Sequence, residues 1–71
     1  MFAEIFVQVL EKKNISAYRL SQETGITQGM ISYWKSGERM PSADNLITLA
    51  DYFGCSVDYL LGRTNNPEVN R

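Results

Sequence analysis

Apolar residues recur at helical spacing from the first residues of the chain. They occupy positions i, i+3, i+4, i+7 and i+8, as Phe2, Ile5, Phe6, Val9 and Leu10. This spacing places all five side chains on one face of a helix. Asn14 follows, and asparagine tolerates the left-handed conformation that commonly ends a helix. The pattern predicts a first helix over residues 2–13.

Hydroxyl residues and glycines divide the rest of the chain into further helices. A Ser or Thr side chain can accept a hydrogen bond from a first-turn amide, and glycine can take the positive φ that ends a helix. The pairs of start and stop residues are Ser16 and Gly25, Thr27 and Gly37, Ser42 and Gly54, and Ser56 and Gly62. They predict helices over 17–24 and 28–36, a fourth between Ser42 and Gly54 and a short fifth before Gly62. No stretch has strand periodicity, so the predicted fold class is all-α.

Length and composition agree with one small helical domain. The chain has 71 residues, of which 44% are hydrophobic. A chain this short buries only about 60% of the surface that it exposes when unfolded, so nearly all apolar residues are needed in one core. We expect this domain to span residues 1–62. Residues 63–71 are polar and predict a tail or linker.

The inventory of reactive side chains argues against an enzyme. There is no histidine and one cysteine, and no P-loop or pair of carboxylates at one site is visible. Cys55 is interpreted as a small buried hydrophobe, with a redox role as the alternative. Asp44, Asp51 and Asp58 are seven apart, but Gly54 interrupts the helix, which favours a solvated surface over a metal site. The sequence predicts no cofactor, no metal and no small-molecule ligand.

The segment Ala17–Ser36, AYRLSQETGITQGMISYWKS, carries the functional pattern. Two short helices meet across a three-residue turn at 25–27. Leu20 fills the angle between them, and Ile31 and Trp34 anchor the second helix on the core. This is a helix-turn-helix arrangement, whose second helix can enter the major groove of DNA.

Residues 2–62 resemble the XRE, or lambda-repressor-like, family. The resemblance rests on this helix-turn-helix, on the G-x-x-x-P-S opening of helix 4 and on the ending SVDYLLG. It implies a five-helix domain that binds an operator through helix 3, usually as a homodimer on DNA. Two departures stand out. Ala17 replaces a glutamine that often contacts phosphate, and Leu10 and Lys35 replace an Arg–Glu ion pair, which leaves Lys35 available to DNA.

The outward positions of helices 2 and 3 give the candidate contacts with double-stranded DNA. With Ile31 and Trp34 inward, a turn of about 100° per residue directs a polar or small face outward. The predicted base contacts are Gln28, Gly29, Ser32 and Tyr33. The predicted phosphate contacts are Ala17, Arg19, Thr27, Lys35, Ser36 and Arg39, through side chains or helix-end amides.

Net charge leaves a rival interpretation open. Seven basic and eight acidic residues give −1, whereas nucleic-acid binders are usually basic. A protein-interaction module that has kept the fold, as in an antitoxin or anti-regulator, is therefore the alternative to a DNA-binding repressor. No apolar run reaches the roughly 18 residues of a membrane span, and no signal-peptide pattern is present. We expect a cytoplasmic protein.

Overall fold

The computed structural model describes residues 1–68, which form five helices and no strand. The helices are α1 (Phe2–Lys13), α2 (Ala17–Thr24), α3 (Gln28–Ser36), α4 (Ala43–Phe53) and α5 (Val57–Leu60). The all-α prediction is confirmed, and the first three helices have the predicted bounds. Within residues 1–68, no helix is long and apolar enough to cross a bilayer.

Side-chain caps determine where four of the helices begin. In each case the cap hydroxyl oxygen accepts a hydrogen bond of 3.0 to 3.2 Å from the amide three residues later. The caps are Ser16, Thr27, Ser42 and Ser56. Helix α1 differs, because Met1 occupies its N-cap position without a side-chain hydrogen bond. Four of the helix starts are therefore encoded locally.

The turn between α2 and α3 depends on Gly25. Its φ is +79°, which residues with a Cβ rarely adopt. A Cβ built there would have no heavy atom within 4 Å, so the backbone conformation, and not space, requires glycine. This turn sets the angle at which α3 leaves α2.

One apolar core fixes the inward side of α3. Trp34 lies fully buried at its centre. The ring of Phe6 from α1 meets Trp34 edge-on, with centroids 6.1 Å apart, and Phe53 from α4 lies 6.2 Å from Phe6. Because α1 and α4 both hold this aromatic cluster, α3 has one orientation and presents its opposite face to solvent.

The segment after α5 lies against the domain as far as it is described. The Ser56 N–H donates to the Pro67 carbonyl at 2.8 Å, and the Arg63 N–H donates to the Asp58 carbonyl at 2.9 Å. Residues 63–68 of the predicted tail therefore return to the start of α5. The remaining part of that prediction, residues 69–71, lies outside the described residues.

Candidate nucleic-acid interface

The outward face of α3 is exposed as its periodicity predicts. Ile31 and Trp34 are fully buried. On the other side Gln28, Gly29, Ser32 and Tyr33 are all exposed. The structure thus confirms which face is accessible, and the contact of these four residues with DNA bases stays a prediction.

An open depression of about 450 Å³ lies between the start of α2 and the outward face of α3. It is lined by Ala17, Gln28, Ser32, Lys35 and Ser36. A neighbouring depression of about 460 Å³ shares Ala17 and Lys35 and extends to Arg19. Two of the four candidate base contacts and four of the six candidate phosphate contacts therefore border two adjoining depressions. The candidates that line neither depression are Gly29, Tyr33, Thr27 and Arg39.

Helix-end amides add positive potential to this surface. The Ser16 and Thr27 hydroxyls accept only the amides of Arg19 and Met30. The leading N–H groups of α2 and α3, those of Ala17 and Gln28, make no hydrogen bond within residues 1–68. Such N–H groups carry the positive end of the helix dipole and are suited to bind an anionic oxygen.

Tyr33 contacts two other candidate residues, Ser36 and Arg39, at the far end of α3. The Arg39 guanidinium lies over the Tyr33 ring, with Cζ 4.6 Å from the ring centroid, in a cation–π arrangement. The Ser36 hydroxyl donates to the Tyr33 carbonyl at 3.0 Å and accepts the Glu38 N–H at 3.3 Å. The only hydroxyl proton of Ser36 is therefore engaged by a carbonyl of its own helix. Lys35 forms no salt bridge in the described part of the chain.

Arg19 belongs to a polar cluster that the sequence did not reveal as a unit. Its Nε donates to Glu23 Oε2 at 2.7 Å, and the Tyr52 hydroxyl donates to Glu23 Oε1 at 2.9 Å. The hydrogen bond from Arg19 holds the pKa of Glu23 below its usual value. Burial, reinforced by the bond to Glu23, raises the pKa of Tyr52. The i, i+4 spacing of Arg19 and Glu23 was the available signal, and nothing local indicated Tyr52.

The alternative roles considered for Cys55 and the aspartates find no support. Burial raises the pKa of the Cys55 thiol, against a smaller opposing effect of Lys13, so little reactive thiolate forms. The side chain is buried in the core, as predicted for a small hydrophobe. In the described residues, Asp44, Asp51 and Asp58 form no cluster that could hold a metal ion.

The fold and this surface together define a helix-turn-helix domain. A helix-turn-helix family model matches residues 8–60. The chain therefore belongs to this family, in its XRE type, which is a class of helix-turn-helix domains and not a class of enzymes.

Related proteins agree with this assignment. An uncharacterized HTH-type transcriptional regulator of Bacillus subtilis, YobD, is 26% identical over 68 residues, covering 96% of this chain and 61% of YobD. AnsR, an HTH-type transcriptional regulator of the same species, is 34% identical over 62 residues, 87% of this chain and 53% of AnsR. A regulator of this type from Haemophilus influenzae is 32% identical over 59 residues, 83% of this chain and 24% of the relative. The chain thus spans less than two thirds of each relative, and no solved structure matches it.

Proposed function

We propose that residues 1–62 form the DNA-binding domain of a transcriptional repressor that acts in the cytoplasm as a homodimer on double-stranded DNA. The observation that carries this proposal is the depression in which Ala17 of α2 meets the polar outward face of α3. A recognition helix needs such an exposed face, with backbone-binding groups beside it, to enter the major groove. The names of the relatives, HTH-type transcriptional regulators, support the same function.

The proposed contacts divide into base readers and phosphate binders. Gln28, the first residue of α3, would bond adenine N6 and N7 bidentately. Ser32 and Tyr33 continue the same face toward neighbouring bases. Lys35 and Arg39 at the far end, with the leading amides of α2 and α3, would bind the two flanking backbones. The net charge of −1 does not exclude these contacts, because a small domain can be acidic overall and still present basic groups on one face.

Selection of bound duplexes from a random pool, followed by titration at two salt concentrations, tests this function. We expect an enriched inverted repeat, because a dimer places two copies of α3 one helical turn apart, about 34 Å. We also expect affinity to fall steeply with salt, because bound phosphates release counterions. An asymmetric footprint at every concentration would contradict the dimer. No enrichment, with no salt-dependent binding, would favour the protein-interaction module.

Gly29 provides a second test, because packing does not explain it. A Cβ built on Gly29 would meet only the Thr27 hydroxyl oxygen, at 4.0 Å. Glycine costs roughly 0.5–1 kcal/mol relative to alanine in the middle of a helix, which is an upper bound for Gly29 because it is the second residue of α3. We therefore expect Gly29→Ala to raise the melting temperature slightly while weakening operator binding severalfold, because its methyl group would hold the backbone away from DNA.

Thermal melting and binding curves on the selected operator measure the two effects of Gly29→Ala separately. Scrambled DNA is the control, because a looser fit at base edges should reduce the affinity for scrambled DNA less than the affinity for the operator. A variant that is more stable and binds the operator as tightly as wild type would show that no close approach occurs at Gly29.

A further inference from the structure

We propose that Tyr52 and Glu23 are positioning residues that hold the Arg19 guanidinium ready for a DNA phosphate. The inference rests on the proposed function and concerns how Arg19 is oriented at the edge of the proposed DNA-binding surface. Tyr52 lies on α4, 29 positions from Glu23, so a helix outside the helix-turn-helix contributes to it.

The two carboxylate oxygens of Glu23 accept from different side chains, and this determines which N–H donors of Arg19 remain available. A carboxylate can bind arginine through both oxygens at once, which occupies two of its five N–H groups. Here Oε1 accepts the Tyr52 hydroxyl, and Oε2 alone accepts the Arg19 Nε–H. Neither terminal amino group of Arg19 donates to a carboxylate within residues 1–68. Glu23 first, and Tyr52 to a smaller extent, raise the pKa of Arg19, so the tyrosine hydroxyl also lies close to the guanidinium. The terminal N–H donors are left for another anion.

Arg19 lies where such an anion would arrive. Its side chain is 59% exposed and lines the depression that it shares with Ala17 and Lys35. The unbonded Ala17 amide stands at the start of the same helix. A phosphate at this edge would thus meet a guanidinium, an ammonium and a helix-end N–H, with the Glu11 carboxylate on the α1 side of the same depression.

Tyr52 is needed in this cluster because the surface ion pair between Arg19 and Glu23 is weak by itself. An exposed pair at i, i+4 contributes little and leaves both side chains mobile. The Tyr52 ring packs against the core and meets Phe53 edge-on, with centroids 5.6 Å apart, which restricts where its hydroxyl can lie. Because Glu23 bonds both Tyr52 and Arg19, the tyrosine restricts the Arg19 side chain through Glu23. Arg19 then loses less rotamer freedom when it binds phosphate.

Tyr52→Phe tests the inference, because it removes one hydroxyl and changes no charge. We expect affinity to fall roughly two- to fivefold, which is the lower part of the roughly 2- to 12-fold factor for immobilising one long side chain, because Glu23 still binds Arg19. The loss should be equal on operator and scrambled DNA, since a phosphate contact carries no sequence information. In an Arg19→Ala background, Tyr52→Phe should have no further effect. Tyr59→Phe, which removes a hydroxyl with no side-chain hydrogen bond in the described residues, is the matched control.

A measurement without DNA distinguishes a failure of the positioning role from a failure of the proposed function. The nuclear magnetic resonance signal of the Arg19 Nε–H should shift in Tyr52→Phe and stay in place in Tyr59→Phe. An unmoved signal, or an affinity loss that persists without Arg19, would overturn the positioning role while DNA binding stands. Wild-type protein that binds no DNA would instead remove the proposed function, and this inference with it.

Discussion

Replacing Trp34 by alanine should leave the domain unfolded, or close to unfolding, at room temperature. Trp34 is fully buried and contacts the Phe6 ring at the point where α1 and α3 meet. Truncating a buried aromatic side chain costs about 3–5 kcal/mol. A domain of this size has a total stability on the order of 5 kcal/mol, so one substitution removes most of it.

Trp34→Phe separates the loss of packing from the loss of the indole N–H. Within residues 1–68, the Trp34 Nε1–H is buried and has no acceptor. A buried donor without a partner costs about 1–3 kcal/mol, and phenylalanine removes it while keeping an aromatic ring against Phe6. We therefore expect Trp34→Phe to destabilise far less than Trp34→Ala.

Urea unfolding followed by far-ultraviolet circular dichroism measures both variants. Fluorescence is unsuitable, because Trp34 is the only tryptophan in the chain. A Trp34→Ala protein with an unfolding midpoint near that of wild type would show that this side chain does not hold the core. Equal losses for the two variants would show that the size of the indole, and not its unpaired donor, decides the stability.

The sequence could predict the helices because their ends depend on neighbouring residues. Ser16 and Thr27 accept amides only three positions away, and Gly25 acts through its own φ. The exposed face of α3 followed in the same way, from the helical spacing of its two buried anchors. Such features need no knowledge of the rest of the fold.

Contacts between distant segments could not be predicted in this way. The bond from Tyr52 to Glu23 depends on how α4 crosses α2, and the bond from Ser56 to Pro67 on how the chain turns after α5. The sequence predicted only a phosphate contact for Arg19, whereas the structure also shows its Nε–H bonded to Glu23. The lack of an acceptor for the Trp34 indole N–H likewise results from how several helices pack around it.

Gln28→Ala should weaken operator binding by about 1–3 kcal/mol, which is the value of one good bidentate contact with a base. Gln28 is exposed and directly follows the Thr27 cap, so its side chain contributes little to the core. Alanine is also the better helix former, and folding should be unharmed. Binding to scrambled DNA should hardly change, because it depends on phosphate contacts.

Lys35→Ala should have the opposite profile. Lys35 is exposed, borders both depressions and has no carboxylate partner in the described residues. Its loss should weaken operator and scrambled DNA alike and reduce the slope of affinity against salt by about one unit.

Binding curves for both variants, on operator and scrambled DNA at several salt concentrations, make the comparison. Gln22→Ala is the matched control, because it removes the same side chain from an exposed position of α2 outside the depressions. Circular dichroism checks that each variant is folded. If Gln28→Ala weakened both DNAs equally, Gln28 would be a backbone contact and the bases would be read elsewhere on α3. If neither Gln28→Ala nor Lys35→Ala changed binding, α3 would not face DNA, and the protein-interaction module would be the better account of this domain.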